Sequence, residues 1–351
     1  MKKLIVLATL AALPAVAMAD VSISGDLGVS LVNTNKKDGT KTSKNDMNRQ
    51  TGQIVFKGSD DLGNGLKAVW QIASRVDPSG DESNTVGKRD TFVGLQGSFG
   101  QVRFGNLSNP TNSGYGRLEP FQELSIHGDG VGALGEARTA NTIRFDSANY
   151  AGFSTAVSTQ LRPEAVSTKT TYAVATDSAT VKATAANPAA PYAVGVGIKY
   201  ETGPVVLVYS RATFKDQLVE DETTKKQGAK TTVDTFRAEY NEGALSLGFG
   251  YAAAKWVDGT TSKESGFGFS AAYSLGNVTP KIGYWKEGKY KDNGTATDGS
   301  YNVVSVGVDY ALSKRTSAGV EFQSQGARKD LSDGTKSGKK TISAAYLTHS
   351  F

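Results

Sequence analysis

Side chains that could carry out covalent chemistry are scarce in this chain. Its 351 residues include no cysteine and two histidines, His127 and His349. A metal site built from thiolates and imidazoles is therefore unavailable, and we expect no metal and no cofactor. A hydroxyl nucleophile needs a base within hydrogen-bonding distance, and His127 has no recognisable serine partner. We predict no catalytic residue, and a membrane-embedded hydrolase stays as an alternative.

Charged side chains, by contrast, form two groups of opposite character. The basic group alternates with apolar residues in the first half of the chain and comprises Lys57, Lys67, Arg75, Arg89, Arg103 and Arg144, with Gln71 and Asp90 among them. The second group lies in segment 108–138, where acids outnumber bases, and comprises Arg117, Glu119, Glu123, His127, Asp129, Glu136 and Arg138. Facing each other across a narrow passage, such groups would select ions and orient polar solutes. Alternatively, they are solvated charges on a wide wall.

The basic group must be positioned by β-strands, because its spacing has a period of two. In the stretch Leu66–Val76, Lys67, Gln71 and Arg75 fall on one face and apolar residues on the other. In a soluble protein the apolar face turns inward, whereas in a barrel standing in lipid it turns outward. The basic residues would then line water.

Period-two runs recur along the whole chain and predict sixteen strands. Many have about ten residues, the length that a tilted strand needs to cross a bilayer. The predicted ranges are 21–32, 50–58, 65–77, 89–97, 101–107, 139–147, 150–161, 191–201, 203–214, 231–241, 243–256, 264–275, 277–290, 301–312, 315–326 and 339–351.

The connections between these runs alternate between short and long. Tight turns at positions such as 98–100 and 201–202 alternate with long polar segments, which are 33–49, 78–88, 108–138, 162–190, 215–230, 257–263, 291–300 and 327–338. Long loops at one end only are typical of a transmembrane barrel with short periplasmic turns and long external loops. Aromatic residues recur just before the tight turns, where an aromatic girdle would lie, at Phe145, Tyr200, Tyr240, Tyr273 and Tyr310.

Both ends of the chain agree with export to a membrane. Lys2 and Lys3 precede an apolar run, and Ala17-Met18-Ala19 forms a small-residue cleavage site. We therefore predict a signal peptide at 1–19 and a single barrel domain at 20–351. The terminal Phe351 would close the last strand against the first. The formal net charge of +5 is too small to indicate nucleic acid binding.

Four stretches resemble a known family: "DVSISGDLGVSLV", "IVFKGSDDLGNGLKAVWQ", "RDTFVGLQGSFGQVRFGNLSNP" and "LTHSF". They resemble the trimeric general porins of Gram-negative outer membranes, in particular the neisserial-type branch. The resemblance implies a sixteen-stranded antiparallel transmembrane β-barrel, a homotrimer in outer-membrane lipid, and a third loop, 108–138, folded inward as a constriction. It also implies a water-filled channel for passive diffusion of ions and small hydrophilic solutes.

Two positions depart from the family's pattern and bear on ion preference. Gln53 and the pair Gly105-Asn106 stand where relatives often carry positive charge. The ion preference of relatives therefore does not transfer to this chain. Two alternatives stay open: a substrate-selective channel, and a surface adhesin or receptor barrel that displays loops 33–49 and 215–230.

Overall fold

A computed structural model describes the chain at residues 21–38, 40–49, 52–78, 86–114, 118–128, 130, 138–161, 192–215, 230–331, 333–336 and 338–351, with backbone alone over 37–49. The predicted signal peptide, 1–19, lies outside these residues. So does segment 162–190.

The described residues form strands almost throughout. The strands are β1 (Ser22–Asp38), β2 (Thr40–Arg49), β3 (Gly52–Gly63), β4 (Leu66–Val76), β5 (Thr91–Gly97), β6 (Gly100–Ser108), β7 (Arg138–Ser147), β8 (Phe153–Gln160), β9 (Tyr192–Thr202), β10 (Val205–Lys215), β11 (Lys230–Glu242), β12 (Leu245–Asp258), β13 (Thr260–Tyr273), β14 (Val278–Glu287), β15 (Lys291–Asp292), β16 (Thr295–Ala296), β17 (Tyr301–Ala311), β18 (Thr316–Gln325) and β19 (Lys339–Ser350). A 3₁₀ turn at Pro110–Asn112 follows β6. Within the described part of the chain, no helix is long and apolar enough to cross a membrane.

These segments make a closed antiparallel barrel of sixteen wall strands, as predicted. β2 and β3 lie end to end along β1 and count as one wall strand. β15 and β16 form a small hairpin between β14 and β17. The barrel closes where β1 pairs with β19, from Asp26 opposite Ser350 to Lys37 opposite Lys339. Closure leaves no unpaired backbone edge, which would cost several kcal/mol per group in lipid.

The two faces of the wall differ as the alternation predicts. In β17, Val304, Val306 and Val308 are exposed on the outer face, whereas Val303 and Ser305 are fully buried on the inner face. In β4, Ile72 is exposed outward and Ala73 is buried inward. The exposed apolar side chains form the kind of surface that lipid covers in a transmembrane barrel.

Two predicted long loops are wrong. Segment 33–49 is mostly strand, because β1 ends at Asp38 and β2 begins at Thr40. Segment 257–263 contains only a tight turn at Gly259, whose φ of +70° favours glycine. In both places the hydrogen-bonded strands continue beyond the part of the wall whose outer face is apolar. There both faces meet water, so polarity no longer alternates and the sequence resembles a loop.

The seam between β1 and β19 provides a stability prediction. The backbones of Gly25 and Phe351 exchange two hydrogen bonds of 2.9 and 3.0 Å. A Cβ at Gly25 would lie 2.4 Å from the carbonyl oxygen of Gln53. We expect Gly25→Ala to destabilise the barrel by about 1–3 kcal/mol through overpacking, measured by urea unfolding in vesicles.

The control is Gly114→Ala, because a Cβ at Gly114 meets no heavy atom within 4 Å. Equal unfolding midpoints for the two variants would show that the seam at Gly25 is not tightly packed.

Candidate functional site

The segment after β6 turns into the barrel and crosses its inner wall. Pro110 packs on β9, where a Cβ at Gly195 would lie 2.5 Å from the proline Cδ. Farther along, Arg237 of β11 donates a hydrogen bond of 3.1 Å to the Gly114 carbonyl oxygen. This contact path confirms the predicted inward-folded third loop, which we call loop 3, residues 108–138.

Loop 3 then packs through an apolar core inside the barrel. Its Leu118, Phe121 and Ile126 are buried together. They contact glycines on the wall: a Cβ at Gly248 would lie 2.5 Å from Leu118, and one at Gly283 would lie 2.7 Å from Phe121. Beneath the loop lies a buried set of inward-facing side chains, Val233, Ala252, Ala254, Trp285, Tyr301 and Val303. This half of the interior is therefore filled and contains two apolar clusters, which the sequence analysis did not predict.

A buried carboxylate on β18 holds the next part of loop 3. Glu321 accepts hydrogen bonds from the backbone N–H groups of Gln122, Glu123 and Leu124 at 2.8, 3.0 and 2.9 Å. Its negative charge is balanced by Lys281 of β14, whose Nζ lies 2.8 Å away. Hydrogen bonds to an ionised acceptor are about twice as strong as neutral ones. We call Glu321, Lys281 and the three N–H groups the Glu321 anchor.

Further contacts brace this anchor. Lys281 also lies 2.9 Å from Asp309 and 5.2 Å from the centre of the Phe121 ring. Tyr346 of β19 donates a short hydrogen bond to Asp309. Gln323 donates from Nε2 to the Ser125 carbonyl oxygen at 2.7 Å. Because both charges of the anchor are buried, removing one would leave the other uncompensated.

Glu123 of loop 3 lies beside the anchor in an unusual setting. Ser30 of β1 donates a hydrogen bond of 2.7 Å to its carboxylate. Burial raises the pKa of Glu123 to about 7; the Ser30 hydrogen bond opposes this rise and the nearby Glu321 adds to it. Glu123 therefore changes charge near neutral pH.

The predicted basic group lies on the opposite part of the wall. Sheet register places Lys57 opposite Gln71, and Arg103 opposite Arg144. On β4, the polar side chains lie on the same face as the buried Val69 and Ala73, whereas the exposed Ile72 lies on the other face. The side chains that therefore point into the barrel are Lys67, Gln71 and Arg75. Arg89 and Asp90 come just before β5.

Several of these charges are paired locally. Arg103 and Arg144 both bind Asp146, the Arg144 contact being 2.6 Å. Arg144 is buried and also donates to the Ser108 carbonyl oxygen at 2.8 Å, so it holds the start of loop 3. Arg138 donates to Asp90 at 2.5 Å. Burial alone would raise the pKa of Asp90, but hydrogen bonds from Arg138 and Ser108 outweigh it and lower that pKa.

The acids of loop 3 make contacts within the loop and to the wall. Glu119 accepts hydrogen bonds from the Ser125 hydroxyl at 2.9 Å and the Ile126 N–H at 3.0 Å. His127 is buried, 3.6 Å from Glu119, with its ring centre 4.2 Å from that of Trp285. Arg117, Asp129 and Glu136 lie outside the described residues.

Sequence reasoning missed the Glu321 anchor. Its two charged residues, Glu321 and Lys281, come from the last quarter of the chain, and their contact with loop 3 is long-range. One signal was present: Glu321 and Gln323 alternate with the apolar Val320 and Phe322. By parity they point inward, and a glutamate on an inward face needs a partner.

Comparison with known proteins agrees with this architecture. The family model described as "Gram-negative porin" matches residues 6–330. The chain is 32% identical to "Major outer membrane protein P.IB" of Neisseria meningitidis serogroup A over 91% of each chain. The structure titled "Anion-selective porin from Comamonas acidovorans" matches with a TM-score of 0.69 and 20% identity, over 95% of this chain and 100% of that one.

A structure of Vibrio cholerae OmpT, titled "trimer form", matches with a TM-score of 0.67 and 14% identity, over 95% of this chain and 99% of that one. Because the two solved structures are only 20% and 14% identical to this chain, they support the fold alone. The assignment to a family depends on the family model and on the Neisseria meningitidis relative. The chain belongs to the Gram-negative porin family and is an outer-membrane barrel that forms a channel for small solutes.

Proposed function

We propose that solutes pass between loop 3 and the wall formed by β3–β7, and that this passage favours anions. Two sets of contacts fix loop 3 to the wall from β9 through β18: its apolar core and the Glu321 anchor. The space that stays open is therefore bounded by the strands that carry the basic group.

The charge balance along this passage supports anion preference. Asp146 forms salt bridges with Arg103 and Arg144. Asp90 forms a salt bridge with Arg138. Lys57 and Lys67 are exposed on the same face and add positive charge, of which Asp61, directly opposite Lys67, offsets one unit. Glu119 and Glu123 accept hydrogen bonds within loop 3 and from Ser30. Burial raises the pKa of Glu123 to about 7, so this acid is only partly ionised at neutral pH and the acidic side of the passage is weakened.

The remaining parts of the proposal concern assembly and chemistry. The channel carries out no reaction and works by passive diffusion with selection by size and charge. It functions as a homotrimer, which the structural match to a trimer form of OmpT supports. A signal peptide at 1–19 directs export and is removed.

The observation that carries the proposal is the basic face of β3–β7, and reversal potential tests it. Across a potassium chloride gradient, the native channel should show the sign of anion preference. The double variant Lys57→Gln with Lys67→Gln should lower the anion-to-cation permeability ratio by roughly twofold, because a screened charge in water contributes a few tenths of a kcal/mol.

The matched control is Lys314→Gln with Arg315→Gln, which removes the same charge from the turn between β17 and β18. A cation-favouring native channel, or equal ratios in the pore variant and the native channel, would refute the proposal.

Glu321→Ala tests the position of loop 3. This change leaves three backbone N–H groups without their acceptor and removes one carboxylate from the buried Lys281. Breaking a buried pair typically costs about 3–5 kcal/mol, so the loop should leave the wall. We expect frequent partial closures in single-channel recordings, with quiet recordings for the control Glu201→Ala at the turn side of the barrel. A quiet Glu321→Ala channel of native conductance would show that the anchor does not hold the loop.

The raised pKa of Glu123 predicts pH dependence. Glutamate has a usual pKa of 4.5, so between that pH and about 7 the folded protein holds a proton that the unfolded chain releases. The stability contributed by this group is therefore fully present at low pH and falls as pH rises through this window. Above pH 7 an ionised Glu123 lies beside Glu321, and current noise should increase, with a midpoint near pH 7. Glu123→Gln should remove this transition, and a transition that persists in the variant would assign it to another group.

A further inference from the structure

The first strand places an acid at the border of the part of the interior that loop 3 leaves open. On β1, Asp26 lies on the same face as the buried Ser30, whereas Val29 and Leu31 are exposed on the other face. Asp26 therefore points into the barrel. Ser30, four residues farther along this face, donates its hydrogen bond to Glu123 of loop 3. Because β1 pairs with β3 at Asp26, this acid borders the open half of the interior.

Sheet register places Asp26 in one row with part of the basic group. Asp26 lies opposite Gln53 of β3, and Gln53 lies opposite Arg75 of β4. Since neighbouring strands are about 4.8 Å apart, the Cα atoms of Asp26 and Arg75 are separated by roughly 10 Å. The Debye length is about 10 Å in 0.1 M salt, so an ion that passes this row is acted on by both charges.

The hydrogen-bond partner of Asp26 leaves its negative charge in place. The carboxylate hydrogen-bonds with the side chain of Gln53, and Arg89 attracts it over a longer distance. Within the part of the chain that the structure describes, no lysine or arginine forms a salt bridge with Asp26. The Gln53 amide donates a hydrogen bond but carries no net charge, so it stabilises the carboxylate without cancelling its field.

The inward-facing acids of β3–β7, by contrast, have basic partners. Asp146 forms salt bridges with Arg103 and Arg144. Asp61 lies directly opposite Lys67. Asp26 thus differs from its neighbours on the wall, because an amide and not a cation lies opposite its carboxylate.

We propose that Asp26 is a specificity-determining residue of the channel, whose carboxylate attracts cations and limits the anion preference that the basic group creates. This inference rests on the proposed passage between loop 3 and the β3–β7 wall. Charges on the wall of a narrow passage set ion preference by concentrating ions of the opposite sign. Removal of the carboxylate leaves Arg75 unopposed within the row, so the preference for anions should increase.

Reversal potential across a potassium chloride gradient tests the role of Asp26. Asp26→Asn should raise the anion-to-cation permeability ratio by about 1.5-fold, because a single screened charge has a modest effect on the ions near it. Asp26→Glu keeps the charge and should retain the native ratio. The matched control is Asp60→Asn, because Asp60 lies on the outward face of β3 with the exposed Phe56, and it should also retain the native ratio. An equal shift in Asp26→Asn and Asp26→Glu would assign the effect to structure and overturn the inference.

The absence of cysteine from the chain allows a second test on channels that are already folded and inserted. In Asp26→Cys, a negatively charged methanethiosulfonate reagent should restore the native ratio. A positively charged reagent of the same class should raise the ratio above that of Asp26→Asn. A ratio that neither reagent changes would show that position 26 does not face the passage, which contradicts the inference.

The outcomes separate this inference from the proposed anion preference. Equal ratios for the native channel and Asp26→Asn, in a channel that prefers anions, would refute the role of Asp26 alone. A native channel that prefers cations would refute the anion preference, whereas a higher ratio in Asp26→Asn would still support the role of Asp26.

Discussion

Satisfaction of every backbone hydrogen bond within lipid is the constraint on which this structure depends. It requires the first and last strands to meet, and β1 and β19 do so along twelve residue pairs. Once the barrel is closed, strand geometry divides the side chains between lipid and interior. Exposed valines and buried serine alternate along β17 for this reason, and the basic group of β3–β7 reaches the interior for the same reason.

Closure of the barrel does not determine how wide the passage is. The width depends on loop 3, which lies inside the barrel. The loop replaces water on one half of the interior with an apolar core, which glycines on β12 and β14 allow to approach closely. The Glu321 anchor then fixes the middle of the loop by charge-assisted hydrogen bonds. The interior becomes asymmetric: one half is filled by the apolar clusters and the Glu321 anchor, and the other half is open and basic. This asymmetry is the basis for the proposed anion preference.

Much of the wall could be predicted from sequence because period-two alternation is a local signal. The strand around Lys67, the inward parity of Arg75 and the closing role of Phe351 all followed from it. Loop 3 contacts could not be predicted in this way, because Glu123 meets Ser30 and Glu321 across 93 and 198 residues. The local pattern also gave wrong strand ends at 33–49 and 257–263, where the strands continue into water.

The proposed passage requires that loop 3 is fixed against the wall from β9 through β18 and leaves the β3–β7 wall open. Because the chain has no cysteine, spin labels can be attached to introduced cysteines without background. Distances from Gln122 on the loop to Phe322 of β18 and to Ile72 of β4 test the claim directly. We predict narrow distance distributions for both pairs, with the distance from Gln122 to Phe322 shorter than the distance from Gln122 to Ile72. A broad distribution, or a shorter distance to Ile72, would contradict it.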